Sequence, residues 1–363
     1  MNYQDEFRQK ELVQGLAERI SRLVAGCGRT MSFMEVCGTH TMAIYRFGLR
    51  SLLPTEIKLI SGPGCPVCVT PNEYIDRAIA TCRLPDVITA SFGDMMRVPG
   101  STASLLEERA KGADIRIVYS PLDAVALAAR NRDKKVVFLG VGFETTAPTI
   151  AASILAAQAQ GLTNYFVLAA NKTIPIPMKV LAADPEIAID GYLCPAHVSA
   201  IIGADAYKPL AEEFHTPCVI TGFEPADMLQ GILMLASQLL AAVSRVENQY
   251  SRVVRPEGNL KAQALLGQIF TPCDVAWRGI GVITGSGLKI RDEFSAFDAE
   301  KMIQVELDPT KEHPGCSCGE ILKGKMQPNQ CPLFGNICTP ESPVGACMVS
   351  SEGSCAAAYK YGQ

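Results

Sequence analysis

"KVVFLGVGFETTAPT", residues 135–149, carries the pattern that recurs along this chain. An apolar, β-branched run ends in glycines and polar residues, and these open a segment of helical character. Four more stretches have the same layout: "DVITASFGDMMRVPG" (86–100), "NYFVLAANKTIPIP" (164–177), "DGYLCPAHVSAIIG" (190–203) and "PCVITGFEPADML" (217–229). Strands alternating with helices predict parallel α/β sheets, in which ligand groups gather at the carboxyl ends of the strands. Two of the turns share a triplet, Gly142-Phe143-Glu144 and Gly222-Phe223-Glu224. A duplicated α/β unit and plain coincidence both account for three matched residues. The "GVGFETT" turn could offer helix N-terminal amides to an anion, but its G-x-G spacing equally describes a tight strand-to-helix turn.

The chain has 363 residues, which at roughly 150 residues per domain predicts two domains and a smaller piece. The expected division is 1–125, an α/β domain; 126–255, a second α/β domain; and 256–363, a C-terminal segment holding most of the cysteines. "RVVRPEGN" (252–259) marks the last break, and "AWRGIGVITGSGLKI" (276–290) beyond it reads as strand. At the other end Leu12, Val13, Leu16, Ile20, Leu23 and Val24 stand at helical spacing, with Gly26 as the stop.

The formal charge is −4 and no basic run occurs, so nothing suggests binding to nucleic acid. "MLQGILMLASQLLAAVS" (228–244) is the longest uncharged apolar stretch. It is short for a membrane span and follows Asp227, a candidate N-cap, so it predicts a buried helix. The first residues are charged from the fifth position and lack the layout of a secretory signal, which predicts a cytoplasmic protein.

Fourteen cysteines are then the anomaly, because structural disulfides are rare in a reducing compartment and clustered thiols there point to metal or redox chemistry. Six crowd into the tail: Cys316, Cys318, Cys331, Cys338, Cys347 and Cys355. From about residue 308 the tail has little apolar material for its own core, so something other than burial must organise it. Four thiolates are what a [4Fe–4S] cube needs, and the same atoms suit a zinc tetrahedron. Six exceed either requirement by two, which suggests a dithiol beside the metal group. The spacing C-x₃-C-x₂-C of radical chemistry is absent, as is a phosphate-binding G-x-x-x-x-G-K-[ST] loop.

A second constellation lies in "FMEVCGTHTMAIYRFGL" (33–49) and "SGPGCPVC" (61–68). Two adjacent strand-end loops would bring Cys37, Cys65 and Cys68 together beside His40, a soft donor set able to hold iron with open positions. Taken singly, a buried cysteine is more often a small core residue and a histidine more often structural. The cysteines at 27, 82, 194, 218 and 273 read as packing residues, with "CPAH", Cys194 to His197, the exception. Whether Glu35, Glu144 and Glu224 do more than cap helices stays open, as does whether His40 binds metal or hydrogen-bonds the Cys37 thiol.

These stretches resemble a known family. "MEVCGTHT" (34–41), "SGPGCPVC" (61–68), "GFETTAPT" (142–149) and the tail "CPLFG…C…GACMVSSEGSC" are similar, in order and over essentially the whole chain, to the HypD family of [NiFe]-hydrogenase maturation proteins. The resemblance implies two parallel-sheet α/β domains facing a cleft, plus a Cys-rich domain with a [4Fe–4S] cluster. It implies a scaffold with redox function rather than a conventional turnover enzyme. On that scaffold the Fe(CN)₂CO unit is assembled with the chaperone HypC and the cyanide donor HypE, with HypF and the hydrogenase large subunit as indirect partners. Carried onto this sequence, Cys37, His40, Cys65 and Cys68 form the working site, and Cys37, Cys65 and Cys68 hold the iron. Cys316, Cys331, Cys338 and Cys355 are the expected cluster ligands, with Cys318 and Cys347 as the redox pair. Two other readings stay open: a cluster-dependent thiol–disulfide oxidoreductase, and a zinc-stabilised binding module.

Overall fold

A computed structural model describes residues 5–362. Among the described residues eleven strands form two sheets. They are β1 (Met31–Glu35), β2 (Ile57–Ser61), β3 (Val87–Ser91), β4 (Ile115–Ile117), β5 (Lys135–Gly142), β6 (Tyr165–Lys172), β7 (Gly191–Pro195), β8 (Cys218–Thr221), β9 (Val246–Asn248), β10 (Phe270–Trp277) and β11 (Gly281–Ile290). The first sheet has the order β2-β1-β7-β8-β9 and is parallel throughout. The second has the order β10-β11-β6-β5-β3-β4. It is parallel from β6 to β4, with the β10–β11 hairpin added antiparallel at its edge.

The expected α/β class is therefore present as two mainly parallel sheets. β1, β3 and β7 are buried along their whole length, the burial that parallel strands acquire when helices cover both faces. Each sheet takes strands from both the 1–125 and the 126–255 segments. The first uses residues 31–61 and 191–248, and the second uses 87–172 and 270–290. Alternation of strand and helix records each unit but not which sheet its strand joins. The helix Asn72–Cys82 leads from β2 in one sheet to β3 in the other, and Pro175–Ala183 leads back from β6 to β7. The stretch 276–290 is not one strand but the end of β10, a turn and β11.

The first helix runs Lys10–Val24 and buries Leu16, Ile20 and Val24, while Leu12 stays 44% exposed. Gly26, just past its end, has φ of 76°, the left-handed conformation glycine adopts most easily after a helix. The apolar stretch around residue 230 is the helix Pro225–Leu240. Its Met228, Leu229, Ile232 and Leu235 pack with Ile20 and with Leu193 and Val219 of the first sheet. Asp227 does not cap this helix. Glu224 holds the cap position, and Asp227 lies in the first turn, buried, with Arg252 Nη2 2.6 Å from its Oδ2. Among the described residues no helix is long and apolar enough to cross a membrane.

Candidate functional site

The carboxyl ends of β1, β2, β7 and β8 all lie on one edge of the first sheet, because these strands are parallel neighbours. The turns that follow them are the motifs of the sequence: Cys37–His40 after β1, Gly62–Cys68 after β2, Cys194–His197 at the end of β7, and Gly222–Glu224 after β8. β1 and β2 pair in register from Met31↔Ile57 to Glu35↔Ser61, so their two turns leave the sheet side by side. Gly38 N donates to Gly64 O at 3.0 Å. A Cβ on Gly64 would stand 2.1 Å from Cys37 N, so only glycine lets the second turn lie against the first.

Cys37, two residues past the end of β1, holds the N-cap position of the helix Gly38–Arg46. Burial pushes its thiol up to about 12, and the Glu352 carboxylate adds to this, against hydrogen bonds from the His40 and Thr39 amides and the Thr39 hydroxyl. A bound cation reverses such a balance, since a coordinating thiol is deprotonated outright. Glu352 had no signal in the sequence beyond its place in the "SSEG" run. It reaches the site because Thr39 Oγ1 donates to its Oε1 at 2.7 Å and because Gly38 leaves room for it, a Cβ there falling 2.4 Å from Glu352 Cβ.

His40 is fully buried. Its Nε2 lies 3.2 Å from Thr221 O and 3.1 Å from Gly222 O. Two carbonyl oxygens can only accept, so Nε2 carries the proton and Nδ1 is left as a bare acceptor. Nδ1 has no partner. Burial lowers the ring to about 4, against the hydrogen bonds to Gly222 and Thr221, which keeps it neutral. Its ring sits 4.7 Å from that of Phe223, on whose other neighbour, His197, the ring distance is 4.1 Å. His197 thus packs in the site wall. Cys194 lies in the core, its thiol raised by burial and by its neighbour Cys218.

Two of the acids in question are buried, and burial holds their carboxyls above the usual range. Burial raises Glu35 to about 8, against hydrogen bonds from Ser61 and Thr41, and Thr41 Oγ1 donates to its Oε1 at 2.8 Å. Burial likewise raises Glu144 to about 7, against the amide of Ile174, which donates to Oε1 at 2.9 Å. The second oxygen of each carboxyl is buried without a partner among the described residues. Glu224 instead faces outward and takes a 2.8 Å hydrogen bond from Arg8. The two Gly-Phe-Glu turns therefore share a position after a strand but not a use.

Cys65 caps the short helix Pro66–Val69, and Cys68 lies within it. Their sulfurs are 2.6 Å apart. Cys68 is fully buried, and burial raises its thiol while a hydrogen bond with Cys347 of the tail opposes this. Cys347 in turn stands 2.6 Å from Cys318, and Cys318 neighbours Cys316. The Gly62–Cys68 loop is thereby joined to the tail by a continuous file of thiols. Cys316, Cys318, Cys331, Cys338, Cys347 and Cys355 line one cavity whose remaining wall is apolar, including Ile321, Leu333, Phe334 and Met348. Gly345 opens that wall, since a Cβ there would be 2.6 Å from Cys316 Sγ. Among the described residues no three His, Cys, Asp or Glu side chains converge on one single-ion position. Cys37, Cys65 and Cys68 are thus neighbours by backbone without a preset coordination shell. Of the cysteines read as packing residues, Cys82, Cys194 and Cys218 are buried, whereas Cys27 and Cys273 are partly exposed.

The HypD family model, described as "Hydrogenase formation hypA family", matches residues 11–362. This chain belongs to the HypD family. It is 48% identical over 368 residues to the hydrogenase maturation factor HypD of Escherichia coli K12, covering 100% of this chain and 99% of that protein. The factor HypD of Azotobacter vinelandii is also 48% identical, with 100% and 97% covered. That of Cupriavidus necator H16 is 44% identical, with 100% and 98% covered. A HypD-family chain has its role in hydrogenase maturation and works with other maturation proteins. The motifs quoted from the sequence are the segments that here form the strand-end turns and the thiol-lined tail.

Proposed function

We propose that this chain is the scaffold on which the Fe(CN)₂CO unit of [NiFe]-hydrogenase is built. In this reading it works in the cytoplasm with HypC and HypE docked in a cleft between the two sheets, HypF feeding HypE and the hydrogenase large subunit receiving the product. The observation that carries the reading is the meeting, at one sheet edge, of the Cys37–His40 turn with the Cys65–Cys68 helix, itself in contact with the tail through Cys68 and Cys347.

Iron is the cargo here. Soft thiolates from Cys37, Cys65 and Cys68 suit a low-spin ferrous ion that must also accept diatomic ligands. A site without a preset shell suits a cargo that has to leave. Releasing cyanide from a thiocyanate-like donor needs two electrons. The Cys65–Cys68 dithiol can supply them, its two S–H groups becoming a disulfide while the donor becomes a thiol and hydrogen cyanide.

The tail fits a resident [4Fe–4S] cluster by its donor set. With Cys318 and Cys347 paired at 2.6 Å, Cys316, Cys331, Cys338 and Cys355 remain on the cavity wall, the four thiolates a cube requires. Such a cluster supplies single electrons. Cys347 and Cys318 stand between that cavity and Cys68, where they can return the Cys65–Cys68 pair to its thiol form.

The 2.6 Å contacts favour a second reading, a cluster-dependent thiol–disulfide oxidoreductase without cargo iron. Iron, zinc and sulfide counts on anaerobically purified protein separate the readings. The scaffold holds iron in excess of sulfide and loses the excess in Cys37→Ala. Equal iron and sulfide in both proteins supports the oxidoreductase, and zinc in place of iron leaves a binding module.

A further inference from the structure

Away from the thiols, β6 and β11 share only two ladder pairs, Lys172↔Gly287 and Asn171↔Leu288. The strands then part, and the next partner of β6 on that side is Asp298, bridged to Val167. The gap opens into a cavity of about 390 Å³ between β6, the β10–β11 hairpin and the helix Asn72–Cys82. Tyr74 reaches across it to donate to Leu168 O at 2.9 Å.

Lys172, the last residue of β6, lines this cavity and is 3% exposed. Its Nζ donates to Ala276 O at 3.0 Å and lies 5.5 Å from the centre of the Trp277 ring. Among the described residues it has no carboxylate partner, so a buried ammonium uses one of its three N–H groups on protein. Isolated buried charges are costly and are normally paired. Burial accordingly lowers this amine to about 8. Lys289 of β11 lines the same cavity, also without an ion pair among the described residues, and Arg77 forms the facing wall. Cys273 of β10 pairs with Gly287 of β11, itself opposite Lys172; burial raises its thiol, Lys289 and Lys172 pull it down, and Asp274 and Glu300 add to the rise. Four acids also line the cavity, Glu73, Asp274, Asp298 and Glu300. Among the described residues none forms an ion pair with Lys172 or Lys289: Glu300 stands 4.0 Å from Arg77, Asp274 accepts from Gly285 N and Asp298 accepts from Glu300 N.

We propose that this cavity is a binding subsite for a small oxyanion, a phosphate or carboxylate group seated on Lys172 and Lys289. The anion supplies the missing counter-charge for Lys172 and takes its two spare N–H groups. Cys273 on the wall reports on occupancy, because an anion beside a thiol disfavours the thiolate.

The full chain is titrated calorimetrically with inorganic phosphate and, separately, with acetate, each against chloride at matched ionic strength. Alkylation of Cys273 by iodoacetamide is followed in parallel by peptide mass spectrometry. Saturable binding of either anion, with slowed alkylation of Cys273, is expected, and the tighter anion identifies the group. Lys172→Gln and Lys289→Gln should each weaken binding about tenfold, the loss of one charge-assisted hydrogen bond. Lys301→Gln, which removes an exposed lysine paired with Asp292 outside the cavity, should leave it unchanged. Should Lys172→Gln fail to fold, Lys289→Gln carries the test. Heats no different from chloride for both anions, or binding undiminished in Lys289→Gln, overturn the proposal.

Discussion

Thr39 and Glu352, 313 positions apart in sequence, are joined by a 2.7 Å hydrogen bond that ties the turn bearing Cys37 to the tail. The carboxylate both holds the turn and opposes ionisation of the Cys37 thiol. Glu352→Gln keeps an acceptor for Thr39 and removes the charge. Alkylation of Cys37 at pH 8, read by peptide mass spectrometry, should then speed up about threefold, as a fall of roughly half a pKa unit requires. An unchanged rate would mean that the carboxylate does not act on the thiol.

Close approach of the two turns rests on Gly64. Gly64→Ala places a methyl 2.1 Å from Cys37 N, and backbone cannot yield as a flexible side chain does. A loss of about 3 kcal/mol or more is expected, seen as a lower unfolding temperature. Gly15→Ala, in a helix interior with nothing within 4 Å of the new Cβ, should instead stabilise by up to about 1 kcal/mol.

Buried acids and the buried histidine push stability in opposite directions with pH. Glu35 is raised to about 8, so its proton favours the folded state at low pH, and that stabilisation is lost as pH rises from the unfolded carboxyl range through 8. Glu144, raised to about 7, acts the same way over a narrower window. His40, lowered to about 4, stabilises above its unfolded value and loses that contribution as pH falls toward 4. Unfolding temperatures measured from pH 5 to 9 should fall less steeply on the alkaline side in Glu35→Gln than in the wild type, the difference corresponding to a few kcal/mol. Parallel curves would contradict a raised Glu35 carboxyl.

That the two cysteine-bearing turns lie side by side was legible in the sequence, because parallel neighbouring strands end on one edge of a sheet. "MEVCGTH" and "SGPGCPVC" each show an apolar run followed by small residues, and β1 and β2 do lie side by side. The tail's organisation was legible only as thiol density, since its irregular backbone has no period to read. Two things were hidden for physical reasons. Sheet membership depends on where each crossover lands, which strand–helix alternation does not encode, so both sheets draw on both halves of the first 255 residues. Glu352 and the bare Nδ1 of His40 depend on contacts with residues 313 and 181 positions away, beyond any local pattern.

The proposed cluster gives the tail cysteines two roles. Serine at Cys316, Cys331, Cys338 or Cys355 should abolish the visible absorbance of a bound cluster, since each would remove one of four ligands. Serine at Cys318 or Cys347 should preserve the absorbance and block reoxidation and reduction of the Cys65–Cys68 pair, followed by thiol counting. Absorbance lost in Cys347→Ser and kept in Cys355→Ser would reassign the ligands.

The most direct test of the scaffold is an infrared spectrum of the protein purified anaerobically with HypC, in the region of metal-bound cyanide and carbonyl, for wild type and Cys37→Ala. Cyanide and carbonyl bands are expected in the wild type, and both should vanish in Cys37→Ala while tail absorbance persists. Bands that survive in Cys37→Ala, or that are missing from a wild-type protein with equal iron and sulfide, would contradict assembly of the unit on this chain.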